Sequence, residues 1–144
     1  MQKRSSNLLV LAFCTFVFSL AVFQFSENTA DPDLWGHTLF GQHLIKTGVI
    51  EKAEPYSWTA PGYPWINHEV LSEVALGVVH RGWGGSGLLF LKLGIGLLTL
   101  WIATQTGAKG LNWPNRAFAW MFAALAVVEI SFGFAARPQI FTAL

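Results

Sequence analysis

Charge is scarce in this chain. Only 12% of its 144 residues are Asp, Glu, Lys or Arg, against 53% hydrophobic types, and a soluble domain carries about twice that charged fraction. The shortage is uneven, because long stretches hold no charge at all, which is the pattern of membrane spans rather than of a soluble core. Cysteine is nearly absent. Cys14 stands alone inside the first apolar run, which excludes an intrachain disulfide and any thiolate metal motif, and it reads as a small hydrophobe. The basic residues are few and scattered, with a net charge of +1, so no stripe exists to follow a phosphate backbone and nucleic acid is excluded as a partner.

What is present divides the chain into segments. Residues 1–6 carry Lys3 and Arg4, and Leu8 to Phe25 then runs eighteen residues without a charge, enough to cross about 30 Å of hydrocarbon as a helix. A cleaved signal peptide has the same basic start. The apolar run is long for one, however, and Ser26-Glu27-Asn28-Thr29-Ala30 lacks a small-x-small cleavage pattern, which favours an uncleaved anchor. Residues 88–104 form a second apolar stretch, with Lys92 near one end where its ammonium can snorkel. Residues 105–116 are a polar turn holding Lys109, Pro114 and Arg116, and residues 117–136 form a third stretch with one charge, Glu129. Such a charge is costly in lipid and calls for protein or water beside it. Residues 137–144 open with Arg137-Pro138, and Ile140 to Leu144 reads as the start of a further apolar helix.

The expected fold is therefore all-α: a multi-pass membrane protein with spans at 7–25, 88–104 and 117–136 and the beginning of a fourth. Lys3 and Arg4 before the first span, and Lys109 and Arg116 between the second and third, place the N-terminus and the 105–116 loop in the cytoplasm by the positive-inside rule. The loop at 26–87 then lies outside. It holds seven of the eight acidic residues, all four histidines, four of the seven tryptophans and four of the six prolines. Two short helices are expected in it, the second including the apolar stretch Val70 to Val79, which is too short to span and suits an interfacial position.

Chemistry concentrates in that loop. In Asp31-Pro32-Asp33-Leu34-Trp35-Gly36-His37, proline at a first helical position makes Asp31 the expected N-cap. The helix then runs to about Thr47, with Lys46 in its last turn and Gly48 as C-cap. Asp33 and His37, four apart, share a face. Two carboxylates and an imidazole can bind a divalent cation, with Asp33 and His37 as candidate ligands, or one carboxylate can act as a general base. Equally, an aspartate at a helix start is a cap and His37 an interfacial residue. The aromatic segment from Tyr56 to Trp65 serves as a headgroup anchor or as a stacking surface for a sugar. Asn67-His68-Glu69-Val70-Leu71-Ser72-Glu73 opens the second helix; Ser72 stands where a zinc protease needs histidine, and its acids equally complement a helix dipole. Arg137 is either a fork for phosphate or a snorkelling anchor.

In order and spacing these segments resemble the start of the C-superfamily (GT-C) membrane glycosyltransferases, which include the protein O-mannosyltransferase and aminoarabinose transferase types and bacterial inner-membrane relatives. The resemblance rests on Asp31-Pro32-Asp33-Leu34-Trp35, on Asn67 to Glu73 and on Arg137-Pro138-Gln139-Ile140-Phe141. It covers residues 8–144, which would be the N-terminal third or less of a complete enzyme. The better-known members carry Asp-Glu where this chain has Asp-Pro-Asp, and an acid-lysine-proline element near the position of His68 and Glu69. The resemblance implies an inverting transferase that takes its sugar from a polyprenyl phosphate within membrane lipid and passes it to an acceptor that no residue identifies. It implies Asp31 or Asp33 as catalytic base or metal ligand, and His37, His68, Glu69 and Arg137 as substrate-binding residues. The alternatives from other classes are a non-catalytic membrane protein with an interaction loop and an inactive truncated product.

Overall fold

The computed structural model describes residues 2–28, 30–107 and 109–143. Met1, which opens the first expected segment, and Leu144, which closes the last, lie outside them, as do Ala108 of the expected 105–116 loop and Thr29 of the residues weighed as a cleavage site. The fold is all-helical. Its elements are α1 (Gln2–Phe25), α2 (Leu34–Thr47), α3 (Val70–Gly107), α4 (Trp113–Ser131) and a short 3-10 helix (Pro138–Ala143). Among the described residues there is no strand, only two isolated bridges, Ala30 with Ala136 and Ala53 with Pro64.

Two helical segments, Asn7–Phe25 of α1 and α3, are long and apolar enough to cross a membrane. The expected third stretch differs in its bounds. α4 begins at Trp113, where the Asn112 side chain accepts from the Asn115 N–H as an N-cap, and it ends at Ser131 rather than at 136. Beyond it Gly133 and Phe134 turn back on the carbonyls of Ile130 and Ser131, and the expected fourth helix is the 3-10 helix. Val70 to Val79, expected as a separate loop helix, is continuous with the second apolar stretch except at Gly84, whose φ of 60° and ψ of −151° interrupt α3. That backbone region is open in practice only to glycine.

The chain forms two compact units. One holds α1, Leu89–Ala135 and the residues from Ile140 onward. Its core is a stripe at four-residue spacing on α1, Val17, Ala21 and Phe25, packed with Leu100, Trp120 and Val127. Phe25 stacks on Phe134 with centroids 4.6 Å apart, over Gly96, where a Cβ would stand 2.7 Å from the Phe25 ring. Outward, Leu8, Leu11, Phe16, Phe23, Phe118 and Phe122 are each more than half exposed. An apolar exterior of this extent is costly in water and suited to lipid. Lys92 does not snorkel to the surface. It is buried and donates from Nζ to the Glu27 carbonyl, 2.6 Å away, just past the negative end of α1, where a cation is favoured. Glu129 is exposed on α4 and, among the described residues, has no ionic partner.

The other unit holds Ala30–Leu88 and Ala136–Gln139. In it α2 crosses the first turns of α3 with almost no space between backbones. A Cβ at Gly41 would overlap the Glu73 carbonyl, and one at Gly77 would stand 2.8 Å from the Gln42 nitrogen and the Gly41 carbonyl carbon. Such close crossings require residues without side chains. The aromatic segment folds as a hairpin-like loop, with Glu54 N–H to Tyr63 O at 2.8 Å and Trp65 N–H to Lys52 O at 3.0 Å. Phe40 of α2 holds it through Tyr56 and Trp65, at centroid distances of 5.1 and 4.7 Å. Trp58 is left almost wholly exposed at its tip.

Candidate functional site

The crossing of α2 and α3 sets the site. His37 lies four residues before Gly41 and Glu73 four before Gly77, so each sits one turn from the contact point. Their side chains meet there, with His37 Nδ1 3.0 Å from Glu73 Oε1 and 3.5 Å from Glu69 Oε2. One ligand atom from each of the three residues lies within 4.8 Å of the others. The outer carboxylate oxygens are held separately. Asn67 Nδ2 donates to Glu73 Oε2, and Gln139 Nε2 donates to Glu69 Oε1 at 3.1 Å. Glu73 is buried, with its side chain only 3% exposed, while His37 and Glu69 are partly open at 21% and 23%.

A second polar group stands at the start of α2. Asp31 Oδ1 accepts from the Asp33 N–H at 3.0 Å and the Asp31 carbonyl accepts from Leu34 N–H at 3.0 Å, an Asx-type turn. Asp31 is therefore not the N-cap of α2. Asp33 occupies that place, without a side-chain cap bond, and the helix begins at Leu34 rather than at Pro32. The other Asp31 oxygen, Oδ2, accepts from Arg137 Nη1 at 3.3 Å, across 106 positions of chain. The two groups are joined by one short segment. Ala136 bridges to Ala30, Arg137 reaches Asp31, and two residues on Gln139 reaches Glu69.

Of the residues expected at the site, Asp31, His37, Glu69 and Arg137 fall in these two groups. Asp33 does not. It is exposed, and its pairing with His37 is between backbones, His37 N–H to Asp33 O at 3.1 Å, so the side chains of Asp33 and His37 do not converge, and the acids beside the His37 ring are Glu69 and Glu73. His68 is exposed, with Nδ1 3.3 Å from the Ile66 carbonyl, outside both groups. Glu73, Asn67 and Gln139 are additions that sequence reasoning missed. One signal existed for Glu73, a lone acid within an apolar helical run, which must find a partner when buried.

Two further histidines have other partners, Glu51 at 2.9 Å from His43 and Gln42 at 2.9 Å from His80. The apolar cavity of about 380 Å³ in the other unit, lined by Phe25, Gly96, Leu100, Trp120, Val127 and Phe134 among others, carries no ionisable side chain. Compared with known protein families, curated proteins and solved structures, the chain has no match.

Proposed function

We propose that this chain is the N-terminal part of a GT-C-type membrane glycosyltransferase that uses a polyprenyl-phosphate sugar at the extracytoplasmic face. α4 acts as a third span, the 3-10 segment leads into a fourth, and the positive-inside rule sets the N-terminus in the cytoplasm. The observation that carries the reading is the pairing of Asp31 with Arg137 beside a His37–Glu69–Glu73 group tied to it through Gln139. Carboxylate, guanidinium and imidazole are the groups that an inverting transfer from a lipid phosphate calls for.

In this reading Asp31 is the base. It takes the proton of the acceptor hydroxyl, whose oxygen bonds to the anomeric carbon as the bond from that carbon to the phosphate oxygen breaks. Arg137 contributes the complementary half. Only Nη1 is engaged with Asp31, and a guanidinium has five N–H donors, so the rest of the fork can hold the leaving phosphate. Asp33 has no part in the step. The exposed aromatic loop, with Trp58 at its tip, acts as the anchor at headgroup level.

The test is sugar transfer from polyprenyl-phosphate donors in proteoliposomes carrying the full reading frame. Asp31→Asn is expected to lower turnover by about 10²–10⁴-fold with insertion unchanged, and Asp33→Asn to leave it near the parent level. Full activity of Asp31→Asn overturns the assignment. So does a reporter fused near Pro61 that is active in the cytoplasm.

A further inference from the structure

We propose that His37, Glu69 and Glu73 form a binding site for one transition-series dication, Zn²⁺ or Mn²⁺. The inference stands on the side chains themselves and holds whether or not the chain transfers sugar.

The charge at this point is unbalanced. Two carboxylates converge on one imidazole nitrogen, and Nδ1 has a single proton to give, so it can satisfy one of them at a time. Glu73 is the more deeply buried of the two. Among the described residues neither acid receives a lysine or arginine, since Arg137 is directed to Asp31. An ionised carboxylate taken out of water is strongly destabilising without a counter-charge. A dication at the point where Glu69 Oε2, Glu73 Oε1 and His37 Nδ1 converge neutralises both acids at once.

The donor atoms are also spaced for a small ion. Donor atoms about 2.0–2.2 Å from a tetrahedral zinc stand about 3.3 Å from one another. The separations of Nδ1 from the two oxygens, 3.0 and 3.5 Å, bracket that value. The oxygens not facing the centre are held by amides, Asn67 on Glu73 and Gln139 on Glu69. Hydrogen bonds to the outer atoms are what orient ligands at metal sites.

The donor set also selects among cations. A nitrogen donor with only two carboxylates suits Zn²⁺ or Mn²⁺ and is poor for Ca²⁺, which seeks six to eight oxygens. Three protein ligands leave coordination positions open, the pattern of a catalytic rather than a structural metal. The partial exposure of His37 and Glu69 provides a way in.

The experiment uses the full chain in nanodiscs, stripped with chelator and titrated separately with Zn²⁺ and Mn²⁺ by calorimetry. Bound metal is counted by mass spectrometry, and the Mn²⁺ form is examined by pulsed electron paramagnetic resonance. One equivalent per chain is expected, with ¹⁴N coupling from a single imidazole. The isosteric Glu73→Gln and the variant His37→Gln should abolish that equivalent, and His37→Gln should remove the nitrogen coupling. Asn67→Ala should weaken affinity by about 10–100-fold, while Asp33→Asn and His68→Ala should leave it unchanged. Circular dichroism of each variant confirms that helix content is retained. Failure of the parent chain to bind either ion, binding that survives both Glu73→Gln and His37→Gln, or a bound Mn²⁺ without nitrogen coupling overturns the site. None of these readouts depends on sugar transfer, so its absence leaves the metal result standing.

Discussion

The imidazole of His37 and the carboxylate of Glu73 meet at 3.0 Å because Gly41 and Gly77, one turn beyond each, let two helix backbones touch. Packing and chemistry are the same contact here. The spacing that removes Cβ atoms from the crossing is also the spacing that aligns the donor atoms.

Gly41→Ala is accordingly expected to be harmful although alanine is the better helix former. The new methyl would meet backbone rather than a movable side chain, so α2 must shift. Overpacking of this kind costs about 1–3 kcal/mol. Gly36→Ala, on the same helix with nothing within 4 Å of its Cβ, should be neutral or stabilising by up to about 1 kcal/mol. Thermal unfolding of the two variants in mild detergent compares them directly.

The pair of Asp31 and Arg137 should show measurable but small coupling. Its side chains are 18% and 42% exposed, and water screens a pair so placed, so a double-mutant cycle with Asp31→Asn and Arg137→Gln is expected to give about 0.2–1 kcal/mol. The coupling should shrink in 1 M salt, where the screening length falls to about 3 Å. Denaturant titration at two salt concentrations measures both.

Lys92→Met keeps most of the side-chain volume and removes the ammonium from the Glu27 carbonyl. Leaving that carbonyl without its donor should cost about 1–3 kcal/mol, read as a lower thermal midpoint in detergent. The neighbouring Leu91→Met, which removes no donor, serves as the control and should change stability by less than about 1.5 kcal/mol.

Gly84→Ala places a Cβ on a backbone with φ of 60° and ψ of −151°. A strained conformation of this type costs about 1–3 kcal/mol. Gly85→Ala, one residue on, has no positive φ and open space around its Cβ, and should be tolerated. A large difference in thermal midpoint between the two is the expected result.

The helices were largely legible in the sequence. The run from Leu8 to Phe25 stands out because its length and apolar composition are read directly, and Gly48 ends α2 because its left-handed backbone, φ 71°, turns the chain off the helix after its N–H has bonded the Leu44 carbonyl. The start of α2 was not legible, since Asp31 has two competing uses, cap or turn, and its partner Arg137 lies more than a hundred residues away. The same long range hid the true companions of His37. An i, i+4 rule finds Asp33 beside it within one helix, whereas Glu73 arrives from another helix through a glycine contact that leaves no local periodicity. Arg137 and Gln139 were separable only in space, two residues apart in the chain yet directed at different acids.

The short return of Ala136–Gln139 also fixes an order of events during synthesis. His37, Glu69 and Glu73 are present once Glu73 has been translated, but the counter-ion for Asp31 and the amide for Glu69 follow only with Arg137 and Gln139. A nascent chain halted before Arg137 carries both acids without these partners. The polar centre is thus completed only after α4 has been made.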